Sequence, residues 1–247
     1  MQEAGLIYCL PMPDCHVGQS LIILVRLRIS DSLQEMMNPM LPNRKQFVQD
    51  PAGYSRSAWM RWAMIASVNG AELDPFKQPT SEDLKNPLLW LTQAEAMSQA
   101  AFVLIKAEPS FDNVPAEMRG ICDSQYCAVA LMLVGYSLEI CLKAMIIVKE
   151  GVEAYSEAER KYLTHDLKKL ATFIVDLDAK DLATLELLTH FVAWAGRYPD
   201  PGSRYIDKHD SVFDLAEQNQ ISGHDLFKLA STVMRHVSTL TEAQGST

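Results

Sequence analysis

Glu139 and Lys143 are two charged residues inside the most apolar stretch of the sequence, residues 121–150. Side chains four apart on a helix lie on one face and can pair, and Tyr136 falls on the same polar stripe. These three side chains could line a polar pocket within an apolar environment. The alternative is an ion pair that is buried in a helical bundle or lies at its edge, and this is the interpretation we favour.

A second group of side chains suited to binding comes at a helix end. Trp194 precedes a turn with two prolines, residues 197–204, and Arg197 and Tyr198 are the first two residues of that turn. Aromatic rings beside a guanidinium group can stack on bases and hold a phosphate, so the three residues form a candidate nucleotide- or RNA-binding patch. The favoured alternative is that this aromatic cluster packs the turn onto the rest of the protein.

The cysteines indicate reduced thiols rather than a metal site. The chain has five cysteines, an odd number at irregular spacing, and the N-terminus does not resemble a secretory signal. Cys122 and Cys127 are five residues apart and face different directions on a helix, which argues against zinc. The sequence contains no phosphate loop, dinucleotide fingerprint or zinc-protease helix. We therefore expect a cytoplasmic protein with no cofactor and no metal.

The elements that position these residues are predicted to be helices. Residues 121–150 are apolar around almost the whole helix surface, so this helix must be enclosed by a membrane or by other helices. A charge near the centre of a bilayer costs about 2.5–3.5 kcal/mol, and the window 128–148 contains Glu139 and Lys143. We therefore predict a ring of helices and no membrane, and we expect no other segment of spanning length.

The distribution of charge limits the partners that the protein can bind. The net charge is −9, and residues 81–247 hold all of the excess, with 15 basic against 24 acidic side chains. An acidic body does not attract phosphate backbones, so broad non-specific binding of nucleic acids is not expected. A small basic site within this body remains possible.

The chain divides into an N-terminal appendage, residues 1–80, and an up-and-down helical bundle, residues 81–247. The appendage contains a possible short strand at residues 21–29 and a helix at residues 57–68, and it either packs on the bundle or serves assembly. For the bundle, we predict a first helix from Asn86-Pro87 and a central helix from Asp112 or Asn113 to Gly151, followed by an acidic linker at 153–160. After the linker we predict a helix capped by Thr164 and a helix over 182–195 that ends at Gly196. A short helix at 210–218 and a last helix capped by Ser222 complete the bundle.

Three motifs resemble a known family. They are Gly135-Tyr-Ser-Leu-Glu-Ile-Cys-Leu-Lys-Ala144, His165-Asp-Leu-Lys-Lys-Leu170 and Trp194-Ala-Gly-Arg-Tyr-Pro199, and together they are similar to bacterial HEPN-like proteins (higher eukaryotes and prokaryotes nucleotide-binding). The resemblance covers roughly residues 85–240. It implies an all-α, often dimeric bundle, in a family that includes metal-independent ribonucleases of toxin–antitoxin and defence systems, partners of nucleotidyltransferases, and non-catalytic members.

The resemblance also implies a place for catalysis. The family's ribonuclease signature is an Arg followed, after four to six residues, by a His. Arg holds the phosphate and His moves a proton as the RNA 2′-hydroxyl attacks. Arg204 with His209 fits this spacing and is the preferred catalytic pair, and Arg160 with His165 fits it as well. For both pairs the alternative is ordinary surface charge.

Three functions follow from these observations. The first is a homodimeric HEPN-like module in RNA- or nucleotide-linked stress or defence biology, either non-catalytic or conditionally active. The second is a metal-independent ribonuclease that uses an Arg/His pair. The third is an interaction scaffold that binds a partner protein through residues 1–80.

Overall fold

The computed structural model describes residues 44–68, 73–200, 202–203 and 206–245, and this part of the chain is helical without any strand. The predicted all-α class is therefore confirmed. The possible strand at residues 21–29 lies outside the described residues. The α-helices are α1 (Arg44–Gln49), α2 (Pro51–Val68), α3 (Pro87–Lys106), α4 (Arg119–Glu150), α5 (Val152–Glu157), α6 (Glu159–Tyr162), α7 (Leu167–Leu170), α8 (Ala179–His190), α9 (His209–Gln218) and α10 (Gly223–Gly245).

Helices α3 and α4 form the hairpin on which the other elements pack. The side chain of Asn86 accepts a hydrogen bond from the amide of Leu88, so α3 begins where the sequence predicts it. The central helix begins later than predicted, because Phe111 has a φ of +48° and Pro115 is extended. A 3₁₀ turn, Ala116–Met118, leads into it. It ends at Gly151, whose φ of +89° favours glycine.

The middle of α4 is enclosed by other parts of the protein, as predicted. No residue between positions 128 and 148 is exposed. The N-terminal part of α4 is not enclosed, since Ile121, Gln125 and Cys127 are exposed. The buried part packs against α3, α7, α8 and α10, and a core of leucines, Met145 and Val233 fills the space between these helices.

Within the described part of the chain, two helices are long and apolar enough to cross a membrane by length and composition, Pro87–Lys106 and Ala116–Glu150. The expectation that only one segment reaches spanning length is therefore wrong, because α3 meets the same criterion. The most apolar window of the longer helix is 61% buried inside the protein, and that of α3 is 17% buried. This is weak evidence for a membrane, since the core helix of a bundle has the same length and composition.

Small residues let α8 approach the central helix closely. Helix α8 starts at a capping box formed by Asp178 and Asp181, and it continues as a five-residue π-helix, Phe191–Ala195, that ends at Gly196 as predicted. A Cβ atom on Gly135 would lie 2.5 Å from Cγ2 of Val192. The contact is possible only because position 135 has no side chain.

The region between α4 and α8 differs from the prediction. Residues 153–160 are not a linker but lie in α5 and α6, because Tyr155 and Tyr162 are buried and their rings stack at 5.0 Å. The next helix is capped by Asp166, which accepts from the amide of Lys169, and not by Thr164. Burial of the apolar ring surface of these tyrosines outweighs the acidic composition of the segment.

The remaining predicted elements are close to the observed ones. The helix predicted at 57–68 is the second part of α2, the short helix predicted at 210–218 is α9, and Ser222 immediately precedes α10. Ser222 binds the carboxylate of Asp225 through its amide and its hydroxyl, at 2.7 and 2.6 Å. A boundary near residue 80 stays a prediction, as does the role of residues 1–80 in assembly.

Candidate functional site: the Glu139–Lys143–His165 cluster

Glu139 and Lys143 form an ion pair within the core of the bundle. Their side chains lie one turn apart on α4, with 6% and 11% of their surfaces exposed, and Nζ of Lys143 is 2.7 Å from Oε1 of Glu139. A buried charge that loses its partner is strongly unfavourable, so each of the two residues requires the other. The favoured interpretation of the polar stripe as an ion pair agrees with this geometry.

The second oxygen of the same carboxylate holds a histidine. Nδ1 of His165 is 2.8 Å from Oε2 of Glu139, and the imidazole meets the ring of Tyr136 edge to face at 6.0 Å. About half of the His165 side chain, 49%, is exposed to solvent. Glu139 thus connects a buried ammonium group to an imidazole at the surface, and we call these three residues the Glu139 cluster.

The backbone around His165 is fixed by hydrogen bonds on its C-terminal side. Asp166 caps α7, and the amide of Leu167 donates to Oγ1 of Thr189 on α8 at 3.1 Å. Leu167 itself is completely buried. Because α7 is held against α8 and α4 in this way, the imidazole is presented to Glu139 by a well-packed segment.

Two tyrosines with raised pKa values adjoin the cluster. Burial, and then the negative charge of Glu159, the neighbouring Tyr162 and Glu139, raise the pKa of Tyr155 to about 12. Burial and its hydrogen bond to Glu150 raise the pKa of Tyr162, whose hydroxyl donates to Oε2 of that carboxylate at 2.6 Å. Both phenols therefore stay protonated at neutral pH, and neither can act as a base there.

A groove of about 690 Å³ lies between α7 and α8, and none of the three cluster residues lines it. Its lining begins at Asp166, the residue that follows His165. Lys168 and Glu186 pair across it at 2.8 Å. Its apolar lining residues are Ala171, Ile174, Leu177 and Leu182.

The arrangement of the Glu139 cluster is suited to proton transfer. A carboxylate bound to one ring nitrogen of a histidine fixes the orientation of the imidazole, and the other nitrogen can then exchange a proton with a ligand. Here Glu139 holds Nδ1, so Nε2 is the nitrogen available. Among the residues that the structure describes, no group of three or more His, Cys, Asp or Glu side chains could hold a metal ion.

The preferred catalytic pair of the sequence analysis is not placed by the structure. Arg204 lies outside the described residues, and His209 begins α9 with a side chain that is likewise outside the description. The second pair is described. His165 belongs to the Glu139 cluster, whereas Arg160 is exposed on α6.

The candidate patch at the end of α8 is divided between the core and the surface. Trp194 is 8% exposed and packs with Phe191 and Val212. Arg197 donates to the carbonyl of Ala193 in the preceding π-helix, and its guanidinium lies 5.6 Å from the ring of Tyr198, which is 58% exposed. Trp194 fits the packing alternative, and a binding role for Arg197 and Tyr198 stays a prediction.

The contact between Glu139 and His165 was not predicted. The two residues are 26 positions apart, so no periodicity relates them. One signal was present in the sequence. A carboxylate on an otherwise apolar helix has more acceptor sites than a single lysine can satisfy, and a second donor from another element was therefore to be expected.

Comparison of the chain with models of protein families, with curated proteins and with solved structures finds no match. The likeness to HEPN-like proteins therefore depends on the three motifs quoted above.

Proposed function

We propose that this chain is an HEPN-like module of RNA- or nucleotide-linked stress or defence biology, either non-catalytic or conditionally active, and that it acts as a cytoplasmic homodimer. The helical bundle agrees with the fold that the motifs imply. The observation that supports a site is the half-exposed His165, which the buried Glu139 orients and which directly precedes Asp166 of the groove lining.

The groove and the cluster provide complementary contacts for a nucleotide. Lys168 and Lys169 line the groove and can bind a phosphate, and the apolar side chains of Leu177 and Leu182 offer a surface for a base. The charge available is small and local, because Lys168 already pairs with Glu186. Such a site selects a short, defined ligand rather than any nucleic acid, in agreement with the acidic body of the protein.

The test is the binding of nucleotides and short RNA oligonucleotides by the full-length chain. We expect titration calorimetry or fluorescence anisotropy to detect binding by the unaltered protein, and His165→Ala to weaken it about tenfold, since about 1.4 kcal/mol of interaction corresponds to that factor. His224→Ala, at an exposed histidine elsewhere, is the matched control and retains full affinity. Equal binding by both variants refutes the role of His165, and no binding by any form refutes the nucleotide-linked function.

The second candidate function is a metal-independent ribonuclease, which the bond between Glu139 and His165 favours specifically. In this reaction Nε2 of His165 removes the proton of the RNA 2′-hydroxyl, and the oxygen attacks the adjacent phosphate. The bond from phosphorus to the 5′-oxygen of the next nucleotide breaks as a 2′,3′-cyclic phosphate forms, and the imidazolium ion, oriented by Glu139, gives the proton to the leaving 5′-oxygen. Arg160, in the signature spacing, supplies the positive charge for the phosphate, with Arg204 and His209 as the alternative pair.

Cleavage of structured RNA in the presence of EDTA distinguishes the two pairs. Loss of activity in His165→Ala, with activity kept in His209→Ala, assigns the reaction to the Glu139 cluster. The reverse result assigns it to Arg204 and His209 and removes His165 from the mechanism. If the unaltered protein cleaves no RNA under these conditions, the enzyme hypothesis fails and the binding function remains.

The proposed homodimer is tested independently of the ligand. Gel filtration with light scattering of the full-length chain at micromolar concentration gives about twice the mass of the chain if the proposal holds. A mass of one chain over that range of concentration contradicts it.

A further inference from the structure

The groove between α7 and α8 is lined by as many lysines as carboxylates. Apart from His190, its ionisable lining residues are Lys168 and Lys169 on one side of the charge balance and Asp166 and Glu186 on the other. The two positive and two negative charges cancel, so the groove as a whole does not attract anions. It binds an anion only where a lysine is not already neutralised by a neighbouring carboxylate.

The two lysines differ in their ionic contacts. Nζ of Lys168, on α7, lies 2.8 Å from Oε2 of Glu186, on α8, so this ion pair joins the two walls of the groove. Lys169 is exposed, and among the residues that the structure describes its ammonium group forms no ion pair. Oδ1 of Asp166 accepts a hydrogen bond from the backbone amide of Lys169 as the cap of α7. Lys169 is therefore available to an anion, whereas Glu186 occupies Lys168.

The ion pair between Lys168 and Glu186 is weak enough for a ligand to open it. The exposed fractions of the two side chains are 43% and 45%, and ion pairs that are exposed to this degree contribute little because water solvates both charges. Lys168 and Lys169 are consecutive residues, and both line the groove, so an anion bound by one can also reach the other. Glu186 thus has the position of an internal anion that a ligand must replace.

We propose that Glu186 is a built-in competitor of the ligand, and that the groove therefore selects nucleotides with a terminal phosphate monoester. This inference rests on the nucleotide-binding function proposed above. A phosphate monoester carries about 1.5–2 negative charges at neutral pH and three strong acceptor oxygens, so it binds Lys169 and takes Lys168 from Glu186 at the same time. A phosphodiester carries a single charge, and at Lys168 it only exchanges one monoanion for another. The released carboxylate of Glu186 turns to solvent, to which it is already half exposed.

Titration calorimetry on the full-length chain tests both parts of the proposal. The probes are the common ribonucleoside 5′-monophosphates, their methyl phosphate esters, which lack one negative charge, and the uncharged nucleosides. We expect the unaltered chain to bind the monophosphate about fivefold more tightly than its methyl ester, the factor that an exposed ion pair supplies at most. Glu186→Gln should bind the monophosphate about fivefold more tightly again and the nucleoside with unchanged affinity. The matched control is Glu153→Gln, which removes a negative charge at an exposed position of α5 and leaves all affinities unchanged.

A second background shows whether Glu186 acts through Lys168. In Lys168→Gln the carboxylate has no cation to occupy, so adding Glu186→Gln should change the affinity for the monophosphate by less than about twofold. An equal gain in both backgrounds overturns the proposal, as does a gain for the nucleoside as large as that for the monophosphate.

The proposal is also overturned if Glu186→Gln alone has no effect, or if the unaltered chain binds the monophosphate and its methyl ester equally. In all these cases the chain still binds nucleotides, and the proposed function stands. If no form of the chain binds any nucleotide, the proposed function is refuted and the role of Glu186 with it.

Discussion

Gly135 on the central helix allows a direct test of the packing between α4 and α8. In Gly135→Ala the new Cβ atom would lie 2.5 Å from Cγ2 of Val192 and 3.2 Å from the carbonyl oxygen of Leu188. Carbon atoms pack at about 3.5–4.0 Å, so the helices must separate by about 1 Å or Val192 must change its rotamer. Overpacking of this kind costs about 1–3 kcal/mol.

The same substitution also stabilises the helix, because alanine has a higher helix propensity than glycine. A substitution elsewhere in the same helix measures this effect separately. Alanine is better than glycine in a helix by about 0.5–1 kcal/mol, so the net destabilisation at position 135 is about 0–2.5 kcal/mol by these figures. Gly120 is exposed on the first turn of α4, and no atom lies within 4 Å of its added Cβ. Gly120→Ala should therefore stabilise the protein by about 0.5–1 kcal/mol.

The assay is urea unfolding at equilibrium, followed by circular dichroism, for the unaltered chain and the two variants. We expect the midpoints to shift in opposite directions at similar m-values. If Gly135→Ala is as stable as Gly120→Ala, there is no close contact between α4 and the π-helix, and the arrangement of helices around the Glu139 cluster must then be different.

Three further predictions concern charged and thiol side chains. Lys143→Met leaves the buried carboxylate of Glu139 without its cation and should cost about 3–5 kcal/mol in urea unfolding; a loss under about 1 kcal/mol would mean that the pair is hydrated. The carboxylate of Asp225 lies 2.8 Å from Nζ of Lys180, and its hydrogen bonds to Lys180 and Ser222 lower its pKa. The ion pair therefore contributes fully to the free energy of unfolding above the unfolded pKa of Asp225, about 3.9, and this contribution is lost as the pH falls further. Lys180→Met should therefore destabilise the protein more at pH 7 than at pH 2.5, and an equal effect at both would contradict this. Burial raises the pKa of the Cys141 thiol to about 12, so a thiol reagent at pH 8 should modify it only on unfolding, and rapid modification in the native protein would show that the core is open.

The Glu139 cluster explains why a charged pair is found within the apolar core. Replacing a buried ion pair by apolar residues is often neutral or stabilising, so stability alone does not account for Glu139 and Lys143. The pair does more than neutralise itself, because the remaining oxygen of Glu139 holds His165 at the surface. The bond to an exposed histidine explains the presence of the charged pair in the core, which packing alone does not explain.

The sequence by itself determined the helical class, some of the helix boundaries and the enclosure of residues 128–148. These properties depend on local chemistry that each segment carries with it. Asn86 caps the first turn of α3 through its own side chain, and Gly151 ends α4 because its backbone adopts a positive φ. The apolar side chains of the central helix must be covered whichever helices cover them.

The tertiary structure alone decided which side chains meet. The sequence assigned residues 153–160 to a linker, since their acidic composition is visible locally, whereas the stacking of Tyr155 on Tyr162 is not. Both Arg204 with His209 and Arg160 with His165 were selected by their spacing along the chain, which carries no information about a carboxylate on another helix. His165 reaches Glu139 only because α7 packs between α4 and α8, and such packing depends on the shapes of all three helices together.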